Sequence, residues 1–125
     1  MILGLGIDLV QTARVETELS RGQWSSDDGV FTPGEIGRAN SSRKPGHYYA
    51  ACFAIKEAAL KALDLPIDDL AMFREVEVQR DSAGEYRLAL HGRTQARLEQ
   101  LGAHRASLAI THRGGHVAAI VIIEG

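Results

Sequence analysis

Two carboxylates and a lysine have the types and spacing to do chemistry together. Asp8 lies near the carboxyl end of an apolar opening stretch, Ile2 to Val10. Glu57 lies within Tyr48 to Leu63 (YYAACFAIKEAALKAL), with Lys61 four residues further on. Hard cations such as magnesium are held by one or two carboxylates together with substrate phosphates and water, and two separated acids suit that role. A lysine one helical turn beyond Glu57 points the same way. It could neutralise charge on a leaving oxygen or give it a proton. Each residue also has a plainer use. Asp8 serves equally as a helix cap or turn residue, and Glu57 as an i,i+4 partner of Lys61 worth about 0.3 kcal/mol.

The surroundings favour an anionic ligand. The chain has 14 Lys and Arg against 16 Asp and Glu, a formal charge of −2, which argues against nucleic-acid binding driven by overall charge. Yet from Arg38 to Ala62 the basic residues Arg38, Arg43, Lys44, Lys56 and Lys61 face the single acid Glu57, a local formal +4. Such a stretch is either a phosphate-binding surface or a solvated basic face. His112 stands at the end of a strand before a glycine turn, where a ligand contact is plausible on position alone. His47, His91, His104 and His116 show no metal-binding spacing, so zinc is not expected. The lone Cys52 sits among helix alanines and reads as packing. A single thiol makes no internal bridge and suits a reducing cytoplasm. Gly4-Leu5-Gly6 lacks the third glycine of a dinucleotide-binding turn, because position 9 is Leu9.

The elements that must position these residues follow from pattern. Ile2 to Val10 reads as a strand interrupted by Gly4 and Gly6. Thr12 to Ser20 reads as a helix with Arg14 on its polar face and Arg21 just beyond. Thr32-Pro33-Gly34-Glu35 is a capping box with proline at the first helical position. Asn40 to Gly46 reads as a loop. Tyr48 to Leu63 is the strongest helix, with Ala54, Ile55, Ala58, Ala59 and Ala62 on one face and Lys56, Glu57 and Lys61 on the other. Glu75 to Arg80 and Glu85 to Leu90 form a hairpin. Gly92 to Leu101 forms a short helix, and Ser107 to Thr111 and Val117 to Ile123 are strands joined at Arg113-Gly114-Gly115. No stretch is long and apolar enough to span a bilayer, and the start lacks the basic region of a signal peptide. The sum predicts one α+β domain over residues 1–125, an antiparallel sheet packed on a long helix.

In their order these segments resemble the holo-acyl-carrier-protein synthase family of 4'-phosphopantetheinyl transferases. Gly4-Leu5-Gly6-Ile7-Asp8 resembles that family's G-x-G-x-D strand, and Phe31 to Glu35 its F-T-x-x-E segment. Phe53 to Leu63 resembles its F-A-x-K-E-A-x-x-K-A-L helix, and Ser107 to His112 its S-x-x-x-T/S-H ending. The resemblance implies the phosphopantetheinyl transferase fold, a homotrimer with sites between neighbouring subunits, and a cytoplasmic enzyme of fatty-acid or related biosynthesis. It implies transfer of the phosphopantetheine arm of coenzyme A to a serine of an apo acyl carrier protein. Magnesium, or manganese, would be held by Asp8 and Glu57, and the proton of the serine would go to a water on the metal or to a carboxylate. Lys61 would assist departure of adenosine 3',5'-bisphosphate. Lys44, Lys56 and His112 would contact coenzyme A, and Arg14 and Arg21 would dock the carrier. The alternative is a trimeric module of the same fold that binds coenzyme A without turnover. Many relatives carry arginine where this chain has Cys52, so neighbouring basic residues must take over its phosphate contact or coenzyme A binds more weakly. Glu16 and Glu18 beside Arg14 make the first helix less basic than a carrier dock calls for.

Overall fold

In the computed structural model, which describes residues 1–125, the chain runs β1 (Ile2–Gln11), α1 (Thr12–Ser20), α2 (Pro33–Asn40), α3 (Pro45–Ala62) and α4 (Ala71–Arg74). It continues through β2 (Val76–Arg80), β3 (Tyr86–Leu90), α5 (Gly92–Gln100), β4 (Arg105–Arg113) and β5 (His116–Glu124). The strands form two antiparallel sheets where the sequence predicts one: a three-stranded sheet in the order β1-β5-β4 and the separate hairpin β2-β3. The short helix α4 has no sequence signature, being a single turn. Helix α3 begins at Pro45, inside the predicted loop, because proline is well suited to a first helical position.

The glycines of β1 are a packing requirement. A Cβ on Gly4 would overlap the carbonyl oxygen of Ala62, and one on Gly6 would overlap that of Ala58. The strand therefore lies directly on α3, which meets it with alanines. Asp8 comes two residues after Gly6, on the same inward face. It is buried and registers with Ala119 of β5. The β4-β5 turn is the two-residue loop Gly114-Gly115, both at positive φ, so Arg113 pairs with His116 and His112 lies within β4.

Thirteen of the eighteen residues of α3 are buried, so the helix is enclosed on nearly all sides and is not the amphipathic element its pattern predicts. One side meets the three-stranded sheet. The other meets an aromatic cluster in which Trp24 and Phe53 rings lie 4.5 Å apart and Phe53 and Phe73 rings 5.4 Å apart. The opposite face of the large sheet is uncovered. Leu5, Ile7 and Leu9 are 49%, 57% and 68% exposed, and Ile7 shares its row with Ile120 and Ala109.

Candidate active site

Asp8, Glu57 and Lys61 come together where β1 crosses α3. Lys61 Nζ donates to Asp8 Oδ1 at 2.9 Å and to the Ile7 carbonyl at 3.2 Å. Lys61 thus pairs across elements with Asp8 rather than along the helix with Glu57, and that hydrogen bond pushes its ammonium above the usual lysine range. The other oxygen of Asp8, Oδ2, is buried and has no hydrogen-bond partner. Glu57 is half-buried beside it. Its carboxyl is pushed up to about 7, by burial first and then by the adjoining Asp8, against the pull of Lys61 and Arg14. Two acids crowded in this way, one with an orphaned oxygen, gain from an added positive charge. No cluster of three or more His, Cys, Asp or Glu side chains is available to close a metal cage.

Lys44 and His112 belong to a second place. They line a cavity of about 310 Å³ with Ser42, Arg43, His47, Tyr48, Arg80 and Tyr86. The His47 and His112 rings stack at 5.4 Å and 9°. Burial, followed by His47 and Arg80, pushes the His112 imidazole below its usual value. No carboxylate lines this cavity. An adjoining cavity of about 590 Å³ shares Ser42, Tyr48 and Arg80 and adds Arg38 and Ser41. Tyr48 and Glu57 are nine residues apart on α3. That spacing puts them about 13.5 Å apart along the axis, so the basic cavity and the carboxylate pair are separate places on one chain.

Lys56 reaches neither place, which corrects its assignment as a coenzyme A contact. It has no exposed surface. Its ammonium sits 2.7 Å from Glu35 Oε1 and donates to the carbonyls of Phe73 at 2.8 Å and Val76 at 2.6 Å. Glu35 forms the predicted capping box with Thr32 and also accepts from the Val78 amide at 2.6 Å. The pair therefore ties α2, α3 and β2 together in the interior. Arg14 stays exposed near Glu57, and Arg21, past the end of α1, pairs with Glu18 at 3.0 Å. Cys52 is wholly buried, and burial pushes its thiol up, as suits a packing residue. His47, Tyr48, Arg80 and Tyr86 carry no sequence signal. The last two lie outside the basic stretch, on the β2-β3 hairpin that folds back over it.

Residues 4–121 match the family model of the 4'-phosphopantetheinyl transferase superfamily. The chain belongs to that superfamily. Among curated relatives it is 40% identical over 125 residues to the holo-acyl-carrier-protein synthase of Solidesulfovibrio magneticus, covering 100% of both chains. It is 36% identical over 124 residues to that of Geobacter sp. strain M21, covering 99% of each. Among solved structures it resembles the Neisseria meningitidis holo-acyl-carrier-protein synthase with a TM-score of 0.85 and 31% identity over 100% of both chains. It also resembles an acyl-carrier-protein synthase complex with coenzyme A from Chronobacterium ammoniagenes, with a TM-score of 0.79, 31% identity, and 97% and 96% of the two chains covered. The family resemblance read from the sequence is borne out. This phosphopantetheinyl transferase brings Asp8, Glu57 and Lys61 of its signature segments into one site.

Proposed function

We propose that this transferase moves the 4'-phosphopantetheine arm of coenzyme A to a serine hydroxyl of an apo acyl carrier protein. The reaction uses magnesium, or manganese in its place, and releases adenosine 3',5'-bisphosphate. The observation that carries this reading is the buried, unpartnered Oδ2 of Asp8 beside a Glu57 carboxyl held near neutrality. Asp8 and Glu57 form an oxygen-only donor set of two carboxylates, which fits a hard cation that keeps its other positions for water and phosphate. When bound, the metal supplies charge neutralisation on the diphosphate. Lys61, anchored on Asp8 yet half exposed, neutralises charge on the departing phosphate oxygen and can give it a proton. Phosphoryl transfer asks for little beyond orientation and charge, which these three side chains would supply together with the cation, the serine proton passing to water or to a carboxylate.

Lys44 and His112 contact phosphate oxygens of coenzyme A in the basic cavity, and Arg14 and Arg21 meet an acidic carrier surface. A homotrimer is supported by the uncovered apolar face of the three-stranded sheet. Because the two places lie about 13.5 Å apart along α3 within one chain, one coenzyme A molecule draws its carboxylates and its basic cavity from neighbouring protomers. We take residues 1–125 as one domain working in the cytoplasm in fatty-acid synthesis. No helix is long and apolar enough to cross a membrane.

The test is the intact mass of apo acyl carrier protein after incubation with this protein, coenzyme A and magnesium. The expected result is a gain of one phosphopantetheine arm, abolished by chelator. Coenzyme A binding without any gain across several carriers would instead leave the non-catalytic module.

A further inference from the structure

The basic cavity contains an arginine that no part of the mechanism uses. Arg80, the last residue of β2, lies with its guanidinium 4.2 Å from the Tyr86 ring centroid and 5.9 Å from that of Tyr48. Several exposed arginines find carboxylates, Arg21 with Glu18, Arg87 with Asp81, and Arg93 with Asp69 and Glu75, while those around this cavity, Arg38 and Arg43 among them, do not. Arg80 makes no ion pair. It lies over aromatic rings, which position the guanidinium, and its N–H donors make no hydrogen bond. It stands in the wall shared by the two adjoining cavities, among Arg38, Arg43, Lys44, His47 and His112, with no acid in either lining.

A second observation points to a ligand at the same wall. Tyr48 is 8% exposed, and its hydroxyl is buried beside Arg38 and Cys52 in hydrogen-bond geometry with neither. A buried hydroxyl without a partner is costly, and so is a group of like charges without a counter-ion. An anion with several acceptor oxygens relieves both. Helix α3 offers no cation of its own on this side, since one turn beyond Tyr48 stands the buried Cys52.

This inference rests on the proposed transfer from coenzyme A, whose anionic groups are a diphosphate and a phosphate monoester on the ribose. The diphosphate belongs with the cation at Asp8 and Glu57. A monoester carries a charge of roughly −1.5 to −2 and three acceptor oxygens, which a free guanidinium meets two at a time. We propose that Arg80, aided by the Tyr48 hydroxyl, binds the ribose phosphate monoester of coenzyme A and sets the preference for coenzyme A over its dephosphorylated form.

Steady-state transfer from coenzyme A and from dephospho-coenzyme A is compared in wild type, Arg80→Ala and Arg80→Lys. Arg80→Ala is expected to raise KM for coenzyme A by about 10- to 100-fold, the size of one charge-assisted paired contact, with kcat unchanged. Its constants for dephospho-coenzyme A stay within about twofold, so the preference collapses. Arg80→Lys recovers part of it. An equal loss on both substrates, or no loss on either, overturns the assignment. Calorimetric binding of adenosine 3',5'-bisphosphate in the presence of chelator separates this from the proposed reaction, because it needs neither carrier nor turnover. Weaker binding by Arg80→Ala supports Arg80 even if no transfer is found. Equal binding overturns it even if transfer proceeds.

Discussion

At the scale of single residues, neighbours in sequence have opposite fates. Lys56 and Glu57 are adjacent, yet one is sealed in the interior against Glu35 and the other shares a half-open site with Asp8. Burial pushes the Lys56 ammonium below the usual lysine range, with Glu35 opposing that shift. Replacing Lys56 with Met strands the Glu35 carboxylate in the core, and a loss of about 3–5 kcal/mol is expected in urea unfolding. The double variant Lys56→Met/Glu35→Gln should lose clearly less, because no unpaired charge remains; additive losses would show that the pair is not coupled.

Glu57 makes the opposite case, in which charge is wanted but not yet supplied. Its folded carboxyl, at about 7, lies above the ordinary value of 4.5. Between those values the folded protein keeps a proton that the unfolded chain has lost. Stability therefore falls as pH rises through that window, and the whole penalty is present above it. The groups facing Glu57 are Asp8, Lys61 and Arg14, and its burial is the leading cause. A divalent cation held as proposed by Asp8 and Glu57 would compete with that proton. Magnesium should accordingly raise Tm more at pH 8 than at pH 5.5, and Glu57→Gln should flatten the dependence on both pH and metal. Equal magnesium shifts at the two pH values would remove Glu57 from the metal site.

At the scale of elements, the contact of β1 with α3 decides whether the site exists. Gly6 and Ala58 meet backbone to backbone, so Gly6→Ala has no flexible side chain to push aside and must part strand from helix. We expect a loss of about 1–3 kcal/mol from overpacking. Asp8 and Glu57 sit on the two elements being parted, so the magnesium-induced Tm shift should shrink as well. A variant with reduced stability but a full magnesium shift would mean that the carboxylates tolerate the displacement. Much of this element-scale design is legible in the sequence. The capping box at Thr32, both hairpins and the α3 helix follow from local chemistry that a short window contains. The split into two sheets is not legible there, because strand partners are fixed by packing between distant segments. The burial of Lys56 is equally invisible: its partner lies 21 residues upstream on another helix. Arg80 is missed for a related reason, since it enters the basic cavity from a hairpin more than thirty residues after Lys44.

At the scale of the whole molecule, two features of the single chain bear on the same question. The outer face of the large sheet exposes Leu5, Ile7 and Leu9, and the carboxylate pair and basic cavity lie apart along α3. An assembly that covers the first and joins the second across an interface accounts for both. Ile7→Asp should dissociate the assembly in sedimentation while leaving the far-UV circular dichroism unchanged, and transfer activity should fall with the loss of the oligomer. Subunit mixing tests the shared site more directly. Glu57→Gln subunits keep the basic cavity, and Lys44→Ala/His112→Ala subunits keep the carboxylates, so each alone is expected to be nearly inactive. If each site uses one protomer's carboxylates and its neighbour's cavity, random reassembly of equal amounts gives intact pairings at about a quarter of the interfaces, and activity returns to that level. If both halves of the site come from one chain, no mixture contains an intact site and activity stays at the level of the parents.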